Sequence, residues 1–341
     1  MNIMKPKRSF HSQIAGVTFL IIFLTRCSLV EWNQTQPAPA QIGTEIQPES
    51  TETLPRNPTA ANRRETIVPE FSHILLIILE NKEYTSVISN SEMPKLNQFA
   101  QEYTLLTQYF AVAHPSLPNY IALVSGDTFG IKSDCTNCFI DAENLAGLLE
   151  QGGYSWKTYQ ENLPSPCFVF PQFWGKISGY AQKHNPFVYF NAIRNDKDHC
   201  KQSVVSLEQL SVDLENGQLP DFAFISPNLC HSGHDCDLNV VDSWLSDLVT
   251  EIMKSPNFDE NSLIVITYDE GGSSLGCCGQ SSTGGGRVAT ILISPRVKKA
   301  YQDDTPYSHY SLLKTIATSW SLRELGHAAD ADIQIITSPW Q

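Results

Sequence analysis

Ile74-Leu75-Leu76-Ile77-Ile78-Leu79-Glu80-Asn81 sets six aliphatic residues directly against a carboxylate and an amide. No polar residue interrupts the run, so a strand built from it is apolar on both faces, the pattern of a parallel strand covered by helices on either side. Runs at 222–225, 263–268 and 288–294 repeat the pattern. Between them, residues 93–102, 144–151, 206–216, 240–254 and 308–320 carry helical periodicity. Buried strands alternating with amphipathic helices predict an α/β fold with a mainly parallel sheet and helices on both faces. No internal repeat is visible.

The chain has 341 residues, 41% of them hydrophobic, enough for a large core. Its formal net charge of -13 argues against a nucleic-acid partner, because phosphate backbones are held by basic surfaces. An acidic protein can still act on a phosphate ester when a metal or local donors neutralise the charge. Residues 31–65 are rich in Pro, Thr, Gln, Asn and Glu, which predicts a disordered tether. Before them, Lys5, Lys7 and Arg8, an apolar run at 14–24 and Cys27 read as an export signal. The expected plan is thus an export signal over 1–27, a tether over 28–66, and one catalytic domain over 67–341. Leu24-Thr25-Arg26-Cys27 resembles a bacterial lipoprotein processing site except for Arg26, leaving open a lipid anchor on Cys27 and a membrane tether through the N-terminus. Eight further cysteines form an even set that predicts disulfides and a location outside the cytoplasm: periplasmic, cell-surface or secreted. Cys135-Thr136-Asn137-Cys138 has zinc-like spacing, but no second pair accompanies it. The Cys-rich, aromatic stretch 134–200 reads as a loop-rich insertion near the site.

In open α/β sheets ligands bind beyond the carboxyl ends of the strands, so the residues that follow each apolar run are the candidates. The first run ends in Glu80-Asn81, the second is followed by Asn228, His231 and His234, and the third ends in Asp269-Glu270-Gly271-Gly272. Glu80, Asn81, Asp269 and Glu270 offer the oxygen ligands that one hard divalent cation prefers, with Ser116 completing the shell. Ser116 itself stands in His114-Pro115-Ser116-Leu117-Pro118-Asn119-Tyr120, between two prolines and just before a helix-like apolar run. A helix N-terminus there presents unpaired N–H groups and a partial positive charge to an incoming phosphate. The plainer reading of Ser116 is a helix N-cap. His231 and His234 supply a proton for a leaving alcohol and hydrogen bonds to phosphate oxygens. His114, Asn119 and Asn228 are the candidates for holding the substrate. Gly284-Gly285-Gly286-Arg287 matches no phosphate-loop pattern, and His309 is a secondary candidate that borders the site or caps the last helix.

These motifs, in this order, resemble the bacterial and fungal phosphoesterase family of acid phosphatases and phospholipase C enzymes, a branch of the alkaline phosphatase superfamily. The carriers are Glu80-Asn81, the segment 114–126, 227–235, Tyr268-Asp269-Glu270-Gly271-Gly272 and 308–313. The resemblance implies an alkaline-phosphatase-like fold, a phosphoserine formed on Ser116, and a metal held by Glu80, Asn81, Ser116, Asp269 and Glu270. His231 and His234 would bind phosphate and act as acid or base. The chain departs from the superfamily's two-zinc pattern at Asn228 and Glu270, which implies a single oxygen-rich site whose metal (Mg, Ca, Mn or similar) is not fixed. The short chain is most like the small acid phosphatases, some named phosphatidylinositol-3-phosphatases. The expectation is an exported, metal-dependent phosphomonoesterase acting on a small phosphate ester or a phosphoinositide. A phospholipase C-type diesterase and a non-catalytic surface-binding module are the alternatives.

Overall fold

Apolar segments that alternate with amphipathic helices build one wide sheet. A computed structural model gives the arrangement of residues 67–170, 176–177, 179–278 and 283–341. The expected export signal, Cys27 and the tether lie outside these described residues. The strands are β1 His73–Leu79, β2 Thr104–Phe110, β3 Trp156–Gln160, β4 Lys176–Ile177, β5 Tyr180–Ala181, β6 Val204–Ser206, β7 Phe222–Ser226, β8 Ser262–Tyr268, β9 Arg287–Ile293, β10 Tyr301–Asp303 and β11 Tyr307–Ser308. Strands β4 and β5 form a separate antiparallel pair. The main sheet runs in the order β10-β2-β9-β8-β1-β7-β3-β6, with β11 also paired to β2.

β1 lies at the centre, parallel to β7 on one side and to β8 on the other. Every residue of β1 after His73 is buried, as its uninterrupted apolar sequence requires. The β1–β8 register pairs Leu79 with Tyr268, and the Asp269 N–H continues the ladder to the Leu79 carbonyl at 2.9 Å. One residue past the strands, Glu80 and Asp269 therefore emerge side by side. Likewise β3 pairs Gln160 with Ser226 of β7, which brings Glu161 out beside Pro227 and Asn228.

The fourth apolar run becomes β9, which is antiparallel to both β8 and β2; a continuous apolar run carries no information on strand direction. Two core strands lay outside the sequence reading. β2 is interrupted by Thr107-Gln108 and by a register shift between Leu106 and Tyr109. β3 sits inside the stretch expected to be an insertion, so that stretch contributes to the core sheet as well as to loops.

Helix Ser116–Ser125 begins four residues before the apolar run that starts at Tyr120 and is buried along its whole length. It packs against helix His309–Ser319. Helix Leu238–Lys254 packs on helix Pro94–Glu102, whose first N–H groups are received by the buried Asp242 carboxylate. All eight cysteines of the described residues are paired, as expected: Cys135–Cys138, Cys167–Cys200, Cys230–Cys236 and Cys277–Cys278.

Candidate active site

Ser116 is the first residue of its helix, Pro115 occupies the cap position, and no side-chain cap bond forms there. The N-cap reading of Ser116 is therefore set aside. Its buried hydroxyl lies 3.3 Å from Glu80 Oε2 and 3.3 Å from Glu270 Oε1, and accepts a hydrogen bond of 2.8 Å from Lys183 Nζ. One hydroxyl proton serves only one of the two carboxylates at a time. The second is left to repel or to bind a cation, while the lysine stabilises negative charge on Oγ.

Glu80 is fully buried. Burial alone would raise its carboxyl, yet His184, with Nε2 2.7 Å from Oε1, and Lys183, 3.4 Å from Oε2, hold it well below the usual carboxylate range. His184 is itself stacked on Tyr120, centroids 5.2 Å apart and planes 8° from parallel. Asn81 adopts a left-handed backbone with φ of 56°, a conformation asparagine tolerates well. Its N–H bonds Asp269 Oδ1 at 2.9 Å and its amide donates to Glu80 Oε2 at 2.7 Å. Burial, then the neighbouring charges of Glu80 and Glu270, push the Asp269 carboxyl well up. Burial also raises Glu270, against the pull of His114, whose Nδ1 bonds Glu270 Oε2. His114 Nε2 reaches the Ser273 carbonyl at 3.0 Å.

The predicted metal-binding residues are thus brought together. Among the described residues Asp269 Oδ2 is buried without a hydrogen-bond partner, and two carboxylates flank the serine hydroxyl, so the donor chemistry fits a hard divalent cation. Among the described residues no three His, Cys, Asp or Glu side chains form a ready coordination shell. Lys183 supplies positive charge at Ser116 and Glu80 instead.

The other candidates divide. Asn119 accepts from the N–H groups of Val112 and Ala113 at 2.9 and 3.0 Å and donates to the Ala113 and Pro115 carbonyls. Its amide fastens the loop ahead of Ser116 and has nothing left for a substrate. Asn228 is committed in part: Oδ1 receives the N–H groups of Cys230 and His231, and Nδ2 donates one of its two hydrogens to Asn162. The loop they organise does adjoin the site, because the Glu80 N–H bonds the Ser232 carbonyl at 2.9 Å. On that loop His231 Nδ1 pairs with Glu161 at 2.8 Å and its ring stacks on Trp244. His234 pairs with the adjacent Asp235. Neither imidazole hydrogen-bonds to Ser116, Glu80, Asp269 or Glu270 among the described residues. His309 lies beneath the site, where its Nε2 holds the Asp269 carbonyl at 2.7 Å. Arg287 stacks on Tyr84, with its guanidinium carbon 3.9 Å from the ring centroid.

Sequence reasoning missed Lys183, His184, Glu161 and Asp134. Lys183 and His184 come from a single 3-10 turn, Gln182–His184, too short to carry periodicity. Glu161 follows directly on β3, but Lys157 and Thr158 break the apolar run that would have marked that strand.

Solved structures similar to this chain include an alkaline phosphatase superfamily protein from Vibrio parahaemolyticus, with TM-score 0.52 and 13% identity over 81% of this chain and 72% of that one. The phosphonate monoester hydrolase of Agrobacterium radiobacter aligns with TM-score 0.50 and 13% identity over 78% and 76%. These likenesses are of fold. In sequence, a protein named probable acid phosphatase from Kluyveromyces lactis is 33% identical over 273 residues, which are 77% of this chain and 62% of that one. Phosphatidylinositol-3-phosphatase of Mycobacterium tuberculosis is 28% identical over 265 residues, covering 77% and 82%. The chain spans less than two thirds of the length of the fungal acid phosphatases it matches. The model of the phosphoesterase family matches residues 79–323, which take in every strand-end residue described above. By that match, this chain belongs to the phosphoesterase family.

Proposed function

We propose that the chain is a phosphomonoesterase that works through a phosphoserine at Ser116. One observation carries the reading: a buried serine hydroxyl at the start of a helix, bonded to Lys183 Nζ at 2.8 Å and flanked by two carboxylates at 3.3 Å. Family membership and the acid phosphatases among its relatives support it.

In the first half-reaction Ser116 Oγ bonds to phosphorus as its proton passes to a carboxylate. Glu270 suits that task better than Glu80, because its affinity for a proton is raised and that of Glu80 is lowered. Lys183 neutralises charge on Oγ and on the phosphoryl oxygens. The bond from phosphorus to the ester oxygen breaks, and the alcohol leaves with a proton. His231, whose Nδ1 is held by Glu161 and whose Nε2 makes no hydrogen bond among the described residues, is the proposed donor. In the second half-reaction water gives a proton to His231 and attacks phosphorus, the bond from phosphorus to Ser116 Oγ breaks as Glu270 returns its proton to Oγ, and phosphate leaves. Glu80, Asn81, Ser116, Asp269 and Glu270 would hold a divalent cation, which when bound lowers the serine pKa and offsets phosphate charge. The four disulfides support action outside the cytoplasm. The Mycobacterium tuberculosis relative makes phosphoinositide 3-phosphate one substrate to try.

The test is phosphate release from an aryl phosphate monoester by the full chain, by Ser116→Ala, and after chelation. The expected loss in Ser116→Ala is about 10³-fold or more in kcat. Acid-quenched wild type should carry phosphate on the peptide containing Ser116. Full activity in Ser116→Ala would falsify the serine mechanism. Retention of activity after exhaustive chelation, with no metal remaining by elemental analysis, would remove the cation from it.

A further inference from the structure

Asp134 does something at this site that no step of the reaction requires. Its Oδ1 accepts the N–H of Leu117 at 3.0 Å, and its Oδ2 lies 3.3 Å from Lys183 Nζ. The first of these donors belongs to the residue directly after the nucleophile, at the open end of the helix. The second is already bonded to Ser116 Oγ. A phosphoryl group joined to Oγ has its phosphorus one bond beyond that atom and its oxygens two, within reach of the same two donors. A helix N-terminal N–H and a lysine are also the pair of groups that anions favour. The carboxylate therefore stands where a phosphate oxygen would stand.

The loop that carries Asp134 does not depend on these bonds for its position. The Cys135–Cys138 disulfide closes it directly after Asp134. Gln182 Nε2 donates to the Thr136 carbonyl and the Tyr189 hydroxyl to the Cys135 carbonyl, both at 2.9 Å. The side chain itself is about one third exposed, so it can swing into solvent when displaced.

We infer that Asp134 is an internal competitor for the phosphate subsite: its carboxylate holds the Leu117 N–H and Lys183 until a phosphoryl group displaces it, and it returns when phosphate leaves. The inference rests on the phosphatase reading above. It makes Asp134 a residue that weakens binding of substrate and product alike, and so limits inhibition by inorganic phosphate.

The experiment compares the full wild-type chain with Asp134→Asn and Asp134→Ala. It measures calorimetric affinity for inorganic phosphate, inhibition of aryl phosphate hydrolysis by phosphate, and KM against kcat. Asn keeps an oxygen for the Leu117 N–H but removes the charge. Both variants should bind phosphate about tenfold more tightly, the order expected when one nearby like charge is removed at a partly exposed site. KM should fall in parallel, by more than kcat changes. Unchanged affinity in Asp134→Asn would mean that Asp134 only caps the helix. Weaker affinity with lower kcat would mean that it holds Lys183 in its working position. Either result overturns the inference. Melting temperatures establish that both variants are folded. If the wild-type chain neither binds phosphate nor hydrolyses the monoester, the phosphatase reading fails and this inference falls with it. If the wild type does both and the variants bind no tighter, only this inference fails.

Discussion

His309 shows how one residue can couple the site to the core. Its imidazole is fully buried, with Nε2 donating to the Asp269 carbonyl at 2.7 Å and Nδ1 accepting from the Tyr109 hydroxyl at 3.2 Å. Burial pushes its pKa down to about 4, and the bond to the Asp269 carbonyl opposes that only in part. The folded pKa lies below the unfolded value of 6.5, so below that pH the unfolded chain binds a proton that the folded chain refuses. The contribution of His309 to stability is complete above about pH 6.5 and is lost as pH falls toward 4, amounting to about 3 kcal/mol. Urea unfolding of wild type and His309→Gln at pH 7, 5 and 4 tests this. The stability difference between them should shrink by about that amount from pH 7 to pH 4. A difference independent of pH would show that the imidazole titrates normally in the fold.

Helix Ser116–Ser125 is the element on which the site depends, and its far end explains how it is held. Gly126 follows it with φ of 75°, in the left-handed region, and its N–H returns to the Ala122 carbonyl. A Cβ there would stand 2.1 Å from the Leu325 carbonyl oxygen, a backbone atom that cannot step aside alone. Gly126→Ala should therefore cost about 3 kcal/mol, the left-handed penalty plus the displaced backbone, measured as a drop in the urea midpoint. A loss below about 0.5 kcal/mol would mean that the 325–326 turn yields freely. The same element marks where the sequence was legible. Ser116, Glu80, Asp269 and Glu270 each stand at the end of an apolar run or the start of a buried helix, so the elements themselves pointed to them. Asn119 and Asn228 were equally visible as residue types, but backbone N–H and C=O groups hold the Asn119 amide, two backbone N–H groups and the Asn162 side chain hold that of Asn228, and sequence gives no sign of that competition. Lys183 reaches Ser116 from a distant short turn, a long-range contact that no periodicity encodes. The reversed direction of β9 was hidden for a related reason, since an apolar run reads the same either way.

At the scale of the whole molecule, the cysteine pattern and the catalytic cluster are parts of one arrangement. The Cys167–Cys200 bridge encloses the segment that delivers Lys183 and His184 to Ser116 and Glu80, and Cys200 is fully buried. It closes the longest loop of the four, with a sequence separation of 33, against 6 for Cys230–Cys236. In the chain-entropy account a crosslink stabilises by restricting the unfolded ensemble, more so for a longer loop. Removing Cys167–Cys200 should cost about 4 kcal/mol and removing Cys230–Cys236 about 2 kcal/mol. Urea midpoints of the double variants Cys167→Ser/Cys200→Ser and Cys230→Ser/Cys236→Ser measure the two costs. The first variant should also lose kcat under conditions where its far-UV circular dichroism is native, because Lys183 is no longer held against Ser116 by a closed loop. Equal costs for the two bridges would place the stabilisation in local packing rather than in loop closure. A fully active first variant would show that the bonds of Gln182 and Tyr189 to the 135–136 backbone suffice to hold the segment. The stability and kcat measurements therefore separate two roles of one bridge, stabilising the fold and presenting a lysine.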